Sequence, residues 1–468
     1  MRKRTLRWIA VLTALGLLVA ACGSDRDDDD ASSTTAPSDT SGSETTAAPA
    51  TEKFGDLDSP CGEGDASAAS AQGVTADSIT IGYGDDAGYA AAPGLNHQQS
   101  DAIEAMIKWC NDQGGINGRT VEGKYYDAKI LDVNNVMLAA CSQVFMLVGE
   151  GWSLDSGQEE VRVGCGLGAV PVWAVSPEFA HGPFAIQPVP NPTDYTPVQN
   201  AAAISKAFPD KIKKTAVMFA NYPATIDTKD KVLASYPAFG FEFLPCEQSY
   251  NIAGEDDWKP FVQSLKDCGA EVVYFTGSPN PNFQNFLTAA VQLNYKPIYM
   301  TDANFYDEGF AEWNAQNNGA ANDVYIREAF PPLSEADSNP AIKAYTDIVS
   351  GNGGDLNQLG EQAASAFLLW ASGVKACGDT VNRDCVLGEI AKIKDWTAGG
   401  LHAPTDPASN LPSECGVTLK LQGGEFVRFD PTGAGDFDCN PDYVQQVTGD
   451  VVNRAALNAD RVSTKYLK

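Results

Sequence analysis

Several motifs that mark common enzyme active sites are missing from this chain of 468 residues. It has no Gly-x-Ser-x-Gly elbow, no His-Glu-x-x-His zinc motif and no phosphate-binding loop. It also has no Cys-x-x-Cys pair, and His97, His181 and His402 are scattered, so we expect surface or loop histidines rather than metal ligands. The sequence therefore predicts a protein that is not an enzyme and needs no metal or cofactor. A secreted hydrolase built on a carboxylate pair is the weaker alternative.

Positive charge is scarce. The chain has 32 Lys and Arg against 61 Asp and Glu, which gives a formal net charge of −29. Such a surface repels phosphate backbones, so nucleic acid is not an expected partner. Because the acidic residues are spread along the chain, we interpret this charge as favouring solubility rather than as marking a substrate.

The N-terminal residues have the pattern of a secretory signal. Basic residues at positions 2, 3, 4 and 7 precede an apolar run, 8–21, which is too short to span a bilayer comfortably. Small residues then lead into Cys22, and this arrangement resembles a bacterial lipoprotein signal. We therefore expect a signal peptide at 1–21, a lipid on Cys22, and a protein attached to the membrane outside the cytoplasm. An uncleaved membrane anchor is the alternative.

Residues 23–53 contain no Val, Ile, Leu, Met, Phe, Tyr or Trp. Such a segment cannot bury enough apolar surface to fold, so 22–73 is predicted to be a lipidated, flexible tether.

The cysteines that remain after Cys22 number ten, which is consistent with five disulfides in an oxidising compartment. Local spacing predicts two pairs, Cys377–Cys385 and Cys415–Cys439. Three further pairs would complete the set: Cys61–Cys110, Cys141–Cys165 and Cys246–Cys268.

From residue 74 onward, short apolar strands alternate with amphipathic helices. The pattern predicts strands at 78–83, 121–126, 146–149, 169–175, 215–219, 239–245, 271–276 and 297–301, and it indicates a return crossing of the chain at 324–330. It predicts helices at 100–113, 131–145, 261–266, 283–293 and 361–377, and a hairpin of 417–421 with 425–429. Alternation of this kind is typical of the α/β class, with parallel sheets covered by helices. Two such rounds in series predict two doubly wound lobes.

One segment resembles a known family. Asp112-Gln113-Gly114-Gly115-Ile116-Asn117-Gly118-Arg119 resembles the helix–turn–strand signature of type I periplasmic solute-binding proteins, the leucine/isoleucine/valine-type receptors of ABC transporters. Residues 78–88 resemble the first strand and ligand loop of the family, 176–179 its "SPEL" element, and 253–277 a unit of its second lobe. The segment 377–385 fits a disulfide loop common in bacterial members. The likeness covers about 74–430.

The resemblance implies an organisation and a set of partners. Lobe one would comprise 74–190 and 328–412, lobe two 191–327 and 413–440, and a tail 441–468. The lobes would be joined by a multi-strand hinge and close on a small polar organic solute, which is amino-acid-like or a related amide or carboxylate. A monomer would then deliver it to ABC permease subunits. A ligand-sensing lipoprotein that acts on another membrane partner is the alternative.

Candidate ligand contacts in lobe one lie after its strands. Asp86 and Tyr89 belong to the first loop, whose Gly-x-Gly-x-x-Ala pattern at 82–87 also matches a dinucleotide fingerprint; we reject that reading because the next helix begins too late. Ser153 matches a position that binds the ligand carboxylate in amino-acid-binding members, with helix capping as the alternative. Trp152 and Trp173 would form an apolar wall or pack in the core. Val175 stands where the family usually has a hydroxyl.

Candidate contacts in lobe two are Tyr222, Ser278, Asp302 and Tyr306. Asp302 matches the acidic position that receives the ligand ammonium in amino-acid-binding members. The acidic run 436–442 resembles the start of a calcium loop, but Pro441 replaces its turn glycine and Val447 its final Glu. We therefore interpret it as a solvated loop tied by Cys439.

Overall fold

The fold is that of a computed structural model, which describes residues 52–448 and 462–467. The predicted signal peptide, the lipidation site Cys22, most of the predicted tether and part of the tail lie outside these residues. Within the described chain, no helix combines the length and apolar character needed to cross a membrane.

The elements, in chain order, have the following bounds. The strands are β1 Lys53–Phe54, β2 Leu57–Asp58, β3 Ser78–Asp85, β4 Thr120–Asp127, β5 Met146–Glu150, β6 Ala169–Val170, β7 Tyr195–Pro197, β8 Thr215–Ala220, β9 Gln248–Tyr250, β10 Val272–Thr276, β11 Ile298–Thr301, β12 Val324–Glu328, β13 Cys415–Gln422, β14 Glu425–Asp430, β15 Asp438–Cys439 and β16 Val444–Gln446. The helices are α1 His97–Asp112, α2 Val133–Gln143, α3 Glu159–Gly164, α4 Pro177–Ala180, α5 Gln199–Ala207, α6 Pro223–Ser235, α7 Lys259–Cys268, α8 Gln284–Gln292, α9 Glu308–Gln316, α10 Pro340–Gly351, α11 Gln358–Cys377 and α12 Arg383–Ile390.

One half of the fold is built on a parallel four-stranded sheet in the order β4-β3-β5-β6. Helix α11 is buried along most of its length and packs against α1, α12 and β5. This follows from its sequence, in which apolar residues occur on nearly every face. We call this sheet, with α1–α4 and α10–α12, the four-stranded half.

The other half is built on an eight-stranded sheet in the order β14-β13-β12-β11-β10-β8-β9, with β15 paired to β13. Strands β8–β12 run parallel, whereas β13 and β14 form the predicted hairpin and run antiparallel to β12. Its core is rich in aromatic rings such as Phe275, Phe283 and Phe286. We call this sheet, with α5–α9, the eight-stranded half.

Between residues 52 and 448, the chain passes three times between the two halves: from α4 to β7, from β12 to α10, and from α12 to β13; residues 463–466 then pack against α3 of the four-stranded half. The lobe boundaries expected from the sequence, at 190, 327 and 412, fall in or beside these crossings. These boundaries stay predictions.

The predicted α/β class and most of the predicted elements are confirmed, but two strands differ. The strand predicted at 239–245 is reduced to a single parallel bridge of Phe243 with Thr215, because its first residue belongs to a 3₁₀ turn at 236–239 that ends at Gly240 with φ 86°, and the edge strand is β9. The strand at 169–175 shortens to β6, because Pro171 follows it and offers no backbone N–H. Helices α3–α6, α9, α10 and α12 were not predicted.

All five predicted disulfides are present in the described chain: Cys61–Cys110, Cys141–Cys165, Cys246–Cys268, Cys377–Cys385 and Cys415–Cys439. Each closes a loop and thereby restricts the unfolded chain. In the acidic run 436–442, Asp438 accepts a hydrogen bond from the Tyr443 hydroxyl at 2.6 Å.

The histidines occupy different environments. His402 lies in a turn but is fully buried, where its Nδ1 donates to the Ala403 carbonyl at 2.8 Å and its Nε2 accepts from the Ser365 hydroxyl. Burial lowers the pKa of His402 to about 4. The ring therefore stays neutral at pH 7 and serves the packing of α11.

Candidate functional site

A cavity of about 290 Å³ lies between the two halves and is lined by residues of both. From the four-stranded half come Tyr89, Leu95, Ile130, Ser153, Trp173 and Val175; from the eight-stranded half come Tyr222, Lys231, Tyr274, Ser278, Asp302 and Arg327. Most of them follow the carboxyl ends of parallel strands, where open α/β sheets commonly bind ligands.

Asp86 positions the loops at the edge of the cavity but does not line the cavity itself. Its carboxylate is fully buried and accepts hydrogen bonds from the backbone N–H of Ile130 at 2.6 Å and of Ser153 at 2.8 Å. Burial raises the pKa of Asp86, while these two hydrogen bonds oppose that shift. Asp86 therefore joins the loops that follow β3, β4 and β5, and Tyr89 of the same first loop lies on the cavity wall.

The two tryptophans that we considered as a wall separate in the structure. Trp173 lines the cavity, and its indole Nε1 donates to Gln99 Oε1 at 3.0 Å. A Cβ on Gly151 would lie 2.5 Å from the Trp173 ring, so this close approach depends on glycine. Trp152 is 1% exposed and packs in the core behind the cavity.

Ser153 and Val175 both line the cavity. The capping alternative for Ser153 is not seen, because Leu154 occupies the N-cap position of the following 3₁₀ turn. Sequence reasoning missed Asp155, whose buried carboxylate accepts from the backbone N–H of Val175 at 2.7 Å and of Ser176 at 3.1 Å. Burial raises the pKa of Asp155 to about 7. Asp155 thus fixes the position of Val175.

On the eight-stranded side, three candidates have different surroundings. Tyr222 lines the cavity at the start of α6, and its buried hydroxyl has no hydrogen-bond partner within the described chain. Ser278 also lines the cavity and donates from Oγ to the Asn280 carbonyl at 2.9 Å. Tyr306 lies in the core, where its ring contacts Phe426 and its hydroxyl accepts from the Leu333 N–H.

Asp302 lines the cavity at the end of β11 and is already paired. It accepts from the Tyr274 hydroxyl at 2.8 Å, and Arg327 Nη2 lies 3.6 Å from the same oxygen, Oδ1. An amino-acid ammonium at this position would have to share Asp302 with Arg327.

Lys231 and Arg327 are cavity residues that sequence reasoning missed. Lys231 Nζ donates to the Pro192 carbonyl at 2.7 Å and to Asn191 Oδ1 at 3.2 Å. Burial, followed by the nearby charge of Arg327, lowers the pKa of Lys231 to about 8. A usable signal for Arg327 was the charged Arg327-Glu328 pair at the end of an otherwise apolar strand.

Comparison with known proteins assigns the fold to a family. Residues 169–425 match the family model described as "Periplasmic binding protein". The chain belongs to this family. The predicted resemblance and the predicted fold are therefore confirmed. As a periplasmic binding protein of the ABC-transporter type, it binds solute and resides outside the cytoplasm.

Solved structures agree at the level of fold. A fatty acid ABC transporter substrate-binding protein from Thermomonospora curvata matches with a TM-score of 0.62 and 15% identity over 81% of this chain and 100% of its own. A solute-binding protein from R. palustris in complex with 4-hydroxybenzoate matches with a TM-score of 0.63 and 17% identity, over 75% of this chain and 96% of its own. A leucine binding protein from Thermotoga maritima matches with a TM-score of 0.63 and 15% identity, over 78% of this chain and 99% of its own. No curated protein matches the sequence.

In the described residues of this periplasmic binding protein, the cavity wall contains four residues of the types Asp, Glu, Lys and Arg. They are Lys231, Asp302, Arg327 and Glu328. Glu328 is 2% exposed, and neither carboxylate oxygen has a hydrogen-bond partner in the part of the chain that the structure describes. Burial and the neighbouring Glu361 raise the pKa of Glu328 well above its usual range, which disfavours the charged form of this carboxyl.

In the described chain, one cluster has the residue types of a metal site. His97, Asp101 and Asp355 have ligand atoms within 4.8 Å of one another and do not line the cavity. His97 Nδ1 lies 3.0 Å from Asp101 and Nε2 lies 3.4 Å from Asp355, so the two carboxylates already occupy both ring nitrogens. We interpret the cluster as a partly exposed ion-pair network.

Proposed function

We propose that this protein is the substrate-binding lipoprotein of an ABC importer, and that it captures a small polar organic solute by closure of its two halves about the three crossings. The observation that supports this most is the shared cavity, which is lined from both halves by residues that follow strand ends. A cavity of this kind gains contacts only when both halves surround the solute, so the solute favours the closed form. A permease can then distinguish the loaded from the empty protein.

The proposed solute contacts are Tyr89, Ser153, Trp173, Tyr222, Ser278 and Asp302, all of which lie on the cavity wall. Asp86, Trp152 and Tyr306 act from behind it, Asp86 through backbone hydrogen bonds and the two aromatic residues through packing. We further propose that the protein works as a monomer attached to the membrane through lipid on Cys22. The support for the anchor is the sequence pattern at 1–22.

Native mass spectrometry of the protein purified from its host tests this function. We expect one small organic molecule per chain, which denaturation releases unchanged. Adding the released molecule back to refolded protein should raise its melting temperature, because a ligand that binds only the native state stabilises it. Steady chemical conversion of that molecule by the protein would contradict the proposal and favour an enzyme.

A further inference from the structure

We propose, building on the proposed function, that the solute is an organic carboxylate without an ammonium group, and that Arg327 and Lys231 bind its carboxylate. This reverses the orientation that the sequence suggested, in which Ser153 meets the carboxylate and Asp302 meets an ammonium. Arg327 and Lys231 both face the cavity and keep hydrogen-bond donors that no residue of the described chain uses.

Arg327 is a cation with unused donors. Its side chain is 24% exposed and lines the cavity near the end of β12. Its guanidinium makes no hydrogen bond to any residue that the structure describes, and its ion pair with Asp302 spans 3.6 Å. A guanidinium carries five N–H donors in a planar fork that matches a carboxylate. Arg327 therefore has both the charge and the free donors to bind a carboxylate.

Lys231 supplies a second positive charge beside the first. Two of its three N–H donors are taken by Pro192 and Asn191, which leaves one for a ligand. Both side chains line the same cavity, and the positive charge of Arg327 disfavours the charged form of Lys231 by repulsion. An anion between them would relieve this repulsion.

The carboxylates nearby do not cancel both cations. Asp302 lies 3.6 Å from Arg327, and Glu328 is 2% exposed, so burial raises the pKa of its carboxyl and disfavours its charged form. Asp194 and Asp227 also interact with Lys231, but neither lines the cavity, and Asp194 pairs with His181 at 3.3 Å. The cavity wall therefore has two cations, and Asp302 is the one lining carboxylate that forms an ion pair with either of them in the described chain.

The four-stranded half offers no carboxylate to an ammonium. Its lining includes Leu95, Ile130, Trp173 and Val175, and no Asp or Glu from this half lines the cavity in the described chain. An ammonium placed here would lose hydration without gaining a charged partner, which is unfavourable. An apolar body fits this wall, with its carboxylate directed at the opposite half.

Calorimetric titration of the full-length protein, with its disulfides intact, tests the proposal with matched probes. The set is 3-phenylpropanoate, 3-phenylpropanamide, phenylalanine and phenethylamine, together with 4-methylpentanoate and leucine. We expect each acid to bind about tenfold or more tighter than its amide or amino-acid analogue, and the amine not to bind.

Variants assign the charge recognition to residues. Arg327→Gln should weaken acid binding by about tenfold or more but amide binding far less, because only the acid uses the charge. Lys231→Gln should act in the same direction. Asp302→Asn should tighten acid binding, because Arg327 loses its competing partner. Lys394→Gln is the control, since Lys394 pairs with Asp406 at 2.7 Å and does not line the cavity.

Three results would overturn the carboxylate proposal but leave the receptor in place. These are tighter binding of an amino acid or amine than of its acid analogue, abolished binding in Asp302→Asn, or a neutral or cationic molecule bound to natively purified protein. If neither the probes nor a molecule from the host binds, the proposed function itself fails. The two failures are therefore distinguishable.

Discussion

Arg119 shows at the residue scale why the Gly-Gly-Ile-Asn-Gly-Arg segment has its sequence. The side chain is fully buried and donates to the backbone carbonyls of Thr75, Ala68, Gly378 and Asp379 at 2.8–3.4 Å. Gly115, at φ 76°, turns the chain so tightly that a Cβ there would lie 2.0 Å from the Arg119 carbonyl oxygen. The segment therefore connects α1, β4 and the end of α11, and it has a structural role.

We predict that Arg119→Lys lowers the free energy of unfolding by about 2 kcal/mol, because an ammonium cannot reach four carbonyls that a guanidinium fork spans. Urea denaturation monitored by circular dichroism measures this change. The exposed Lys108 offers the control Lys108→Arg. A loss no larger than that of the control would show that the Arg119 hydrogen bonds add no net stability.

Glu150 gives a prediction about pH. Its carboxyl is fully buried without a partner in the described chain, and burial raises its pKa to about 8 from 4.5. The pKa of Glu150 is higher in the folded state than in the unfolded state. Between pH 4.5 and 8, the folded state therefore keeps a proton on Glu150 that the unfolded state has already lost. The stability contribution of Glu150 is thus complete below pH 4.5 and is lost as the pH rises towards 8.

Glu150→Gln should remove this dependence. Between pH 5 and pH 8, the free energy of unfolding of the variant should therefore rise relative to that of the wild type by up to about 4 kcal/mol. The comparison needs unfolding free energies of both proteins at the two pH values, with the exposed Glu160→Gln as the control. Parallel pH profiles for wild type and Glu150→Gln would refute the assignment of a protonated carboxyl.

The site could be predicted only in part, and the reason differs by residue. Ser153, Ser278 and Asp302 follow strands, and loops after parallel strands meet at one edge, so position in sequence was enough to place them near the cavity. Lys231 and Arg327 lie within a helix and a strand. Their burial beside the cavity depends on how the two halves pack, which local sequence does not encode.

At the scale of elements, the loops after β3, β4 and β5 act as one unit through Asp86. We predict that Asp86→Ala weakens solute binding by about tenfold and costs about 1–3 kcal/mol of stability, because two buried N–H groups lose their acceptor. Titration with the bound solute and urea denaturation measure the two effects. Asp77→Ala, at an exposed position before β3, is the control. Unchanged affinity would mean that the loops after β3, β4 and β5 keep their conformation without Asp86.

Elements with continuous apolar sequence were predicted well, and those with mixed sequence were missed. Strands such as β5 and β10 are buried at every residue, so their sequence shows them directly. Helix α6 contains Thr, Asp and Lys on several faces and buries Asp230 and Lys231, so no apolar stripe marked it. Burial of polar residues near the cavity therefore hid the helix that contributes one of its cations.

At the scale of the whole molecule, the disulfides leave the two halves free to move. Three bridges lie within the four-stranded half and two within the eight-stranded half, and none of the five joins the halves. Covalent links thus stabilise each half while relative motion at the crossings remains possible. This arrangement suits a protein that closes on a solute.

The proposed lipid anchor is a property of the whole chain. We predict that the protein from its host carries lipid on Cys22, and that Cys22→Ala releases it from the membrane fraction without loss of solute binding. Mass spectrometry of the mature N-terminus checks the first part, and fractionation followed by titration checks the second. An N-terminus that retains residues 1–21 would favour the uncleaved anchor.

The most direct test of the account is a crystal structure of the protein purified from its host with its solute still bound. The account predicts density for a single small organic molecule between the two halves, in contact with both Trp173 and Arg327. A solute bound elsewhere on the protein, or held by one half alone, would contradict it.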